Sequence, residues 1–151
     1  MDKKLIYSDT IFNKIKEDFE SIEIEKLQFE IWTELPNEYL NSYYENEKKI
    51  EPNKLEFEEW SENITSRPEP IYSVAIFENK IVSSIYSGNV YGERNLNLWH
   101  TNNRFRRQQI GKGVLLNLLK TIFEKNNKSI IKAWDITSEG VDNILTTYGF
   151  E

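Results

Sequence analysis

Between Asn95 and Lys120 the chain reads NLNLWHTNNRFRRQQIGKGVLLNLLK, and three patterns follow one another without a break. NLNLWHT is rich in strand formers, the composition of a short half-buried strand. NNRFRRQQ is polar and cationic apart from Phe105. From Ile110 onward, Val114, Leu115, Leu118, Leu119 and Ile122 recur at helical spacing. Strand, loop and helix in that order commit the region to a helix laid on a sheet, and so to a mixed α/β layer architecture.

The flanking segments extend that architecture. IYSVAIF and IVSSIYS are two further strand candidates, joined by ENK as a hairpin, and Gly88 and Gly92 bracket the next turn. KSIIKAWDI reads as a buried strand, and SEGVDNILTTYGFE as a short helix. Toward the N-terminus, KLIYSD is a short strand. Phe12, Ile15, Phe19 and Ile22 then mark a helix that Ser8 or Asp9 would cap, and Ile24, Leu27, Ile31 and Leu35 continue the helical spacing. NEYLNSYYENEKKI is helical again. Pro52 suits the first turn of a further helix carrying Leu55, Trp60 and Ile64. With 151 residues and no repeat or linker, the expectation is one domain over residues 1–151 of α/β (α+β) class.

Residue chemistry narrows the function. There is no cysteine and one histidine, His100, which removes thiolate chemistry and leaves no set of imidazoles for a metal site. No apolar run approaches the roughly 18 residues of a membrane span, and MDKKLIYSDT lacks a signal peptide's apolar core, so the expected location is cytoplasmic, away from a membrane. A net charge of −6 argues against nucleic acid as a partner. Acids dominate from Glu17 to Glu62 and bases from Arg94 through Lys132, giving a negative N-terminal half and a positive C-terminal one.

Against that background, Arg104, Arg106, Arg107 and Lys112 with Gly111 and Gly113 fall within ten residues. A helix N-terminus exposes unpaired amides and the positive end of its dipole, which suits a phosphate. Gly111 would let the backbone approach that anion. A P-loop is excluded, because Arg106 stands where it needs glycine and Gly113 where it needs Ser or Thr. The dinucleotide fingerprint lacks its third glycine. The competing reading is a solvated cationic helix start.

These residues, with IIKAWDITSEGVDNILTTYGF after them, resemble the core of the GNAT superfamily of N-acetyltransferases. Its signature is Arg/Gln-x-x-Gly-x-Gly/Ala after a strand, with Gly-Phe after a short helix downstream. One register sets Gln108, Gly111 and Gly113 on the signature. The other sets Arg106, Gln109 and Gly111 there, and is preferred because it buries Ile110, Val114, Leu115 and Leu118 and spares Lys112. In that register Gln109 replaces the first glycine.

The resemblance implies a GNAT-like, mostly antiparallel sheet with flanking helices. It implies acetyl-CoA as cosubstrate, with pantetheine on Trp99, His100 and Thr101. The pyrophosphate would lie on Arg106, Arg107, Gln108, Gln109, Ile110, Gly111 and Lys112, with Ser138 where an asparagine often stands near the coenzyme. The reaction would transfer acetyl to an amine of a small molecule or peptide, and a catalytically weak binding module is the alternative. The family's acid tyrosine falls at Leu145, so His100 and Asp135 are the candidate catalytic groups, with Tyr148 more simply a packing residue. Family members continue past Gly-Phe into two further strands. Without them, the IIKAWDI strand would keep an open edge for a homodimer or a missing segment to complete.

Overall fold

The structure, a computed structural model, describes residues 2–50, 55–106, 109–134, 136 and 138–151. Pro52 therefore lies outside the described residues, as do Arg107, Gln108 and Asp135 of the expected site. Strand β1 (Lys3–Ile6) leads into helix α1 (Asp9–Glu20), capped by Ser8, whose Oγ accepts from the Ile11 amide at 3.2 Å. Strand β2 (Leu27–Trp32) is followed by helices α2 (Leu40–Glu47) and α3 (Phe57–Asn63). Then come strands β3 (Ile71–Phe77), β4 (Lys80–Val90) and β5 (Glu93–Thr101), helix α4 (Ile110–Lys125), strand β6 (Ile130–Ala133) and helix α5 (Glu139–Thr147).

The sheet has six strands in the order β1-β6-β5-β4-β3-β2, antiparallel everywhere except between β5 and β6. Glu78 and Asn79, both at positive φ, make the β3–β4 turn, as ENK predicts. Gly88 does not bracket a turn. Strand β4 runs through it to Val90, and Tyr91 and Gly92, both at positive φ, make the reversal.

Two expectations are corrected. The helical spacing of Ile24, Leu27, Ile31 and Leu35 does not make a helix. Residues 27–32 pair with β3 from Leu27↔Phe77 to Trp32↔Tyr72. Leu27, Phe29 and Ile31 alternate at period two and all pack on one core, whereas Trp32 faces the other. Positions i and i+4 serve either period, and tertiary pairing decided between them. The second correction concerns the edge of β6. It is covered by β1, paired from Lys3↔Ala133 to Ile6↔Ile130, with Leu5 buried in the core. On the other side of β1, Lys4 and Glu151 exchange both backbone hydrogen bonds at 2.9 Å. The N-terminal strand thus occupies the position left for a partner, because alternation identifies a strand without naming its neighbour.

Each face of the sheet carries its own core. Helices α1, α4 and α5 cover one, around Ile15, Val114, Leu115, Leu118, Leu119, Ile131, Leu145 and Phe150. On the other face, α2 and α3 bury an aromatic cluster of Tyr43, Tyr44, Trp60 and Tyr72. Glu47 is fully buried there, accepting from Trp60 Nε1 at 2.6 Å and from Arg67 at 2.7 Å, so its charge is paired where water is excluded.

Candidate functional site

Strands β5 and β6 run side by side only from Glu93↔Ile130 to Leu96↔Ala133, and beyond that point they part. On its other side β5 pairs with β4, but the register slips: Ser84 faces His100 and Tyr86 faces Asn97, so Leu98 and Trp99 together oppose Ile85. This is a β-bulge, and Leu98 sits in it at φ 53°. The backbone of Leu98 and Trp99 thereby lies outside both ladders.

A cleft of about 800 Å³ opens along this parting. Trp99, His100 and Thr101 form one wall, Ser138, Gly140, Val141 and Ile144 the opposite one, and Arg106, Gln109, Gly111 and Lys112 close its end. The N-terminus of α4 faces that end. The first hydrogen bond inside the helix runs from the Gly113 amide to the Gln109 carbonyl at 2.9 Å, so the amides of Ile110, Gly111 and Lys112 come before any intrahelical partner. Gln109 caps the helix at φ 65° without a side-chain hydrogen bond, and no acid lies in the first turn. Among the described residues the helix start is therefore electropositive and uncapped.

Side-chain contacts fix the cleft's walls. Trp99 Nε1 donates to the Gly111 carbonyl at 3.0 Å, and Thr101 Oγ1 lies 2.8 Å from Ser83 Oγ. Both side chains point toward α4, and a Cβ on Gly111 would meet Thr101 Oγ1 at 2.7 Å. Gly111 is thus required by the close approach of β5 to the helix, a role different from the anion contact its sequence position suggests. A Cβ on Gly113 would lie 2.4 Å from the Phe29 ring, so β2 sets the size limit there. Ile110 is buried in the core and turns its side chain away, leaving only its amide for a ligand. Arg106 Nε donates to the Thr101 carbonyl at 3.2 Å, which holds the guanidinium over the cleft and occupies that strand acceptor.

His100 follows Trp99 on the opposite face of β5, where its carbonyl accepts from Asn46 of α2 at 3.3 Å. Burial, followed by the nearby charges of Arg106 and Lys49, holds its imidazole below the ordinary value of 6.5. Its neutral form is thereby favoured, and the residue lies at the cleft wall. Tyr148 lies elsewhere. It is buried in the core, and its hydroxyl donates to Asp18 Oδ2 of α1 at 2.7 Å, with burial and then Asp18 raising its pKa. Ser138 reaches the cleft while capping α5, its Oγ accepting from the Val141 amide at 3.4 Å. Among the described residues no cluster of His, Cys, Asp or Glu could hold a metal ion.

The left-handed Leu98 and the α5 side chains on the cleft were not legible in the sequence. A leucine carries no signal for positive φ, and SEGVDNILTTYGFE reads only as a short helix, with nothing to single out Val141 and Ile144.

No protein-family profile and no curated protein matches the chain. Its structure does match solved ones. A tandem GNAT protein from the clavulanic acid biosynthesis pathway superposes with TM-score 0.71 at 11% identity, over 99% of this chain and 49% of that one. AAC(6')-Iy, in complex with the bisubstrate analog CoA-S-monomethyl-acetylneamine, gives 0.65 at 12% identity, over 82% of this chain and 91% of that one. The ribosomal-protein-S18-alanine N-acetyltransferase from Escherichia coli gives 0.64 at 14% identity, over 82% and 78%. The chain spans about half the length of the tandem protein. No described helix is long and apolar enough to cross a membrane.

Proposed function

We propose, for a chain whose fold is that of the GCN5-related N-acetyltransferases, that the cleft beside β5 binds acetyl-CoA and that the protein transfers acetyl to an amine of a small molecule or peptide. The observation that carries this reading is the meeting, in one open cleft, of an uncapped helix N-terminus, Arg106, Lys112 and the parted stretch of β5. A diphosphate needs N–H donors and positive charge without a competing carboxylate, and the end of the cleft supplies all three. Arg107 and Gln108 belong to the same expected loop, and Asp135 remains a candidate catalytic base.

Acetyl-CoA would bring an activated thioester; the chain's own residues would orient it. The unladdered backbone at Leu98 and Trp99 would offer an amide to the developing oxyanion. His100, whose neutral form its surroundings favour, would take the proton that the attacking amine loses as the N–C bond forms and the C–S bond breaks. Leu145 offers no proton to the departing sulfur, which would leave as a thiolate. That absence favours the second reading, a coenzyme-binding domain with weak turnover.

Calorimetric titration with acetyl-CoA tests the site, and release of free thiol in the presence of polyamine, aminoglycoside and lysyl-peptide acceptors tests turnover. Binding that weakens at least tenfold in the Arg106→Ala, Lys112→Ala double variant is the expected result, about 1.4 kcal/mol or more. Absence of binding to the folded protein would overturn the reading. Binding without thiol release would establish the weak module.

A further inference from the structure

Resting on that coenzyme reading, we propose that the inner end of the cleft is an acyl subsite larger than acetyl requires, and that the donor it fits is a medium-chain acyl thioester. A second cavity of about 370 Å³ begins where β5 and β6 part. Ile85, Leu96, Ala133 and Leu145 make its floor, and Trp134 and Ile136 flank it. It is continuous with the coenzyme cleft, because Trp99, Ser138 and Val141 line both.

The chemistry of this cavity is one-sided. None of its described lining residues is ionisable. Each polar side chain that lines it has at least one protein partner. Trp99 Nε1 donates to the Gly111 carbonyl, Trp134 Nε1 to Asn95 Oδ1 at 2.6 Å, Asn97 Nδ2 to the Asn95 carbonyl at 3.3 Å, and Ser138 Oγ accepts from the Val141 amide. The described side chains that border the space are mostly hydrocarbon and indole. Among the described lining residues a cationic acceptor would find no carboxylate to offset its lost hydration. An acyl chain gains by the same property.

Position selects the acyl chain over an apolar acceptor. The cavity borders the Leu98 bulge, where the thioester carbonyl would meet the strand, and reaches Ile85, Ala133 and Leu145. An acetyl methyl would fill only its mouth. Leu145 completes the argument. It stands where the resembled family has a tyrosine, and it is buried in the floor, so the residue that costs the site a proton donor also keeps the subsite apolar. The transfer itself is unchanged: the acyl carbon passes from sulfur to the amine nitrogen.

The test is a calorimetric series on the whole chain with CoA, acetyl-, butyryl-, hexanoyl- and octanoyl-CoA. Each methylene buried strengthens binding by about 0.8 kcal/mol, or roughly fourfold, until the cavity is full. Hexanoyl-CoA is therefore expected to bind at least tenfold tighter than acetyl-CoA, a conservative share of that gain. Ala133→Val and Leu145→Phe should each erase most of the preference while leaving free CoA within about twofold, since they fill the floor alone. An affinity that stays flat from acetyl to octanoyl while free CoA binds would overturn the inference. So would variants that weaken free CoA as much as hexanoyl-CoA, because the cavity would then seat the coenzyme arm. No binding of free CoA would instead bring down the coenzyme reading beneath it. The wild-type series decides the matter even if a variant fails to fold.

Discussion

Replacing Gln109 by glycine removes a side chain and should make the protein more stable. Gln109 holds φ 65° at the cap of α4. For an L-residue that conformation costs about 1–2 kcal/mol through the crowding of Cβ against the backbone. Glycine escapes the crowding but loses more backbone entropy on folding, about 0.5–1 kcal/mol. The side chain has little to set against the exchange, being exposed and without a capping hydrogen bond. The net expectation is a gain of about 0.5–1 kcal/mol, which for a chain of this size raises Tm by roughly 1–4 °C. Thermal unfolding followed by circular dichroism, on the parent and on Gln109→Gly, Gln109→Asn, Gln109→Ala and Gln109→Val, should rank glycine above asparagine, then glutamine and alanine, then valine. The same glycine would open the backbone to a diphosphate, so acetyl-CoA affinity should hold or rise. A Gln109→Gly variant less stable than the parent would refute the reasoning, because the left-handed cap would then be carrying no strain.

Two further outcomes follow from the titrating groups. If His100 is the base, kcat/KM falls on the acid side with a midpoint below 6.5, and Lys49→Gln shifts that midpoint upward by removing one of the cations that disfavour the imidazolium. The same lowered folded pKa means that the His100 contribution to stability is present above pH 6.5 and fades as pH falls through the folded value, which urea unfolding at pH 5 and 7.5 against His100→Gln would show. Tyr148→Phe removes the hydroxyl that donates to Asp18 and should cost about 1 kcal/mol in urea unfolding, while thiol release is unchanged because that hydroxyl faces α1.

Much of the candidate cleft was legible because its parts are contiguous. Trp99 to Thr101 and Arg106 to Lys112 read as strand, loop and helix start, and one cleft gathers the described members of both runs except Ile110, which is buried in the core. What stayed hidden depends on distant partners. Whether Leu27, Phe29 and Ile31 belong to a helix or a strand is decided by β3, more than forty residues on. The neighbour of β6 is the chain's first strand, and no local pattern could say so. Gly111 and Gly113 show the same limit. Their spacing reads as freedom for a ligand, yet the atoms nearest to their missing Cβ positions belong to Thr101 and Phe29. A small residue in sequence says that something comes close, without saying what.

Positive φ at residues other than glycine separates the site from the rest of the fold. Lys26, Glu69, Glu78, Asn79 and Tyr91 take it in turns and loops between elements, where the chain has to change direction. Leu98 and Gln109 take it elsewhere, one inside a strand and one at a helix cap, and both border the space beside β5. Neither has a side chain suited to that conformation, so the surrounding packing must hold it there. At Leu98 the holding agents are the β4 ladder on both sides of the bulge, Ser84↔His100 and Tyr86↔Asn97, which fix two residues against one. At Gln109 they are the buried Ile110 and the glycines that let α4 lie close to β5 and β2. Each distortion frees backbone that regular structure would have consumed: the bulge releases β5 from its ladder, and the cap leaves three amides uncovered. Strain that exposes donors on two elements bordering adjoining cavities beside β5 supports the proposed site for a polarised, anionic ligand.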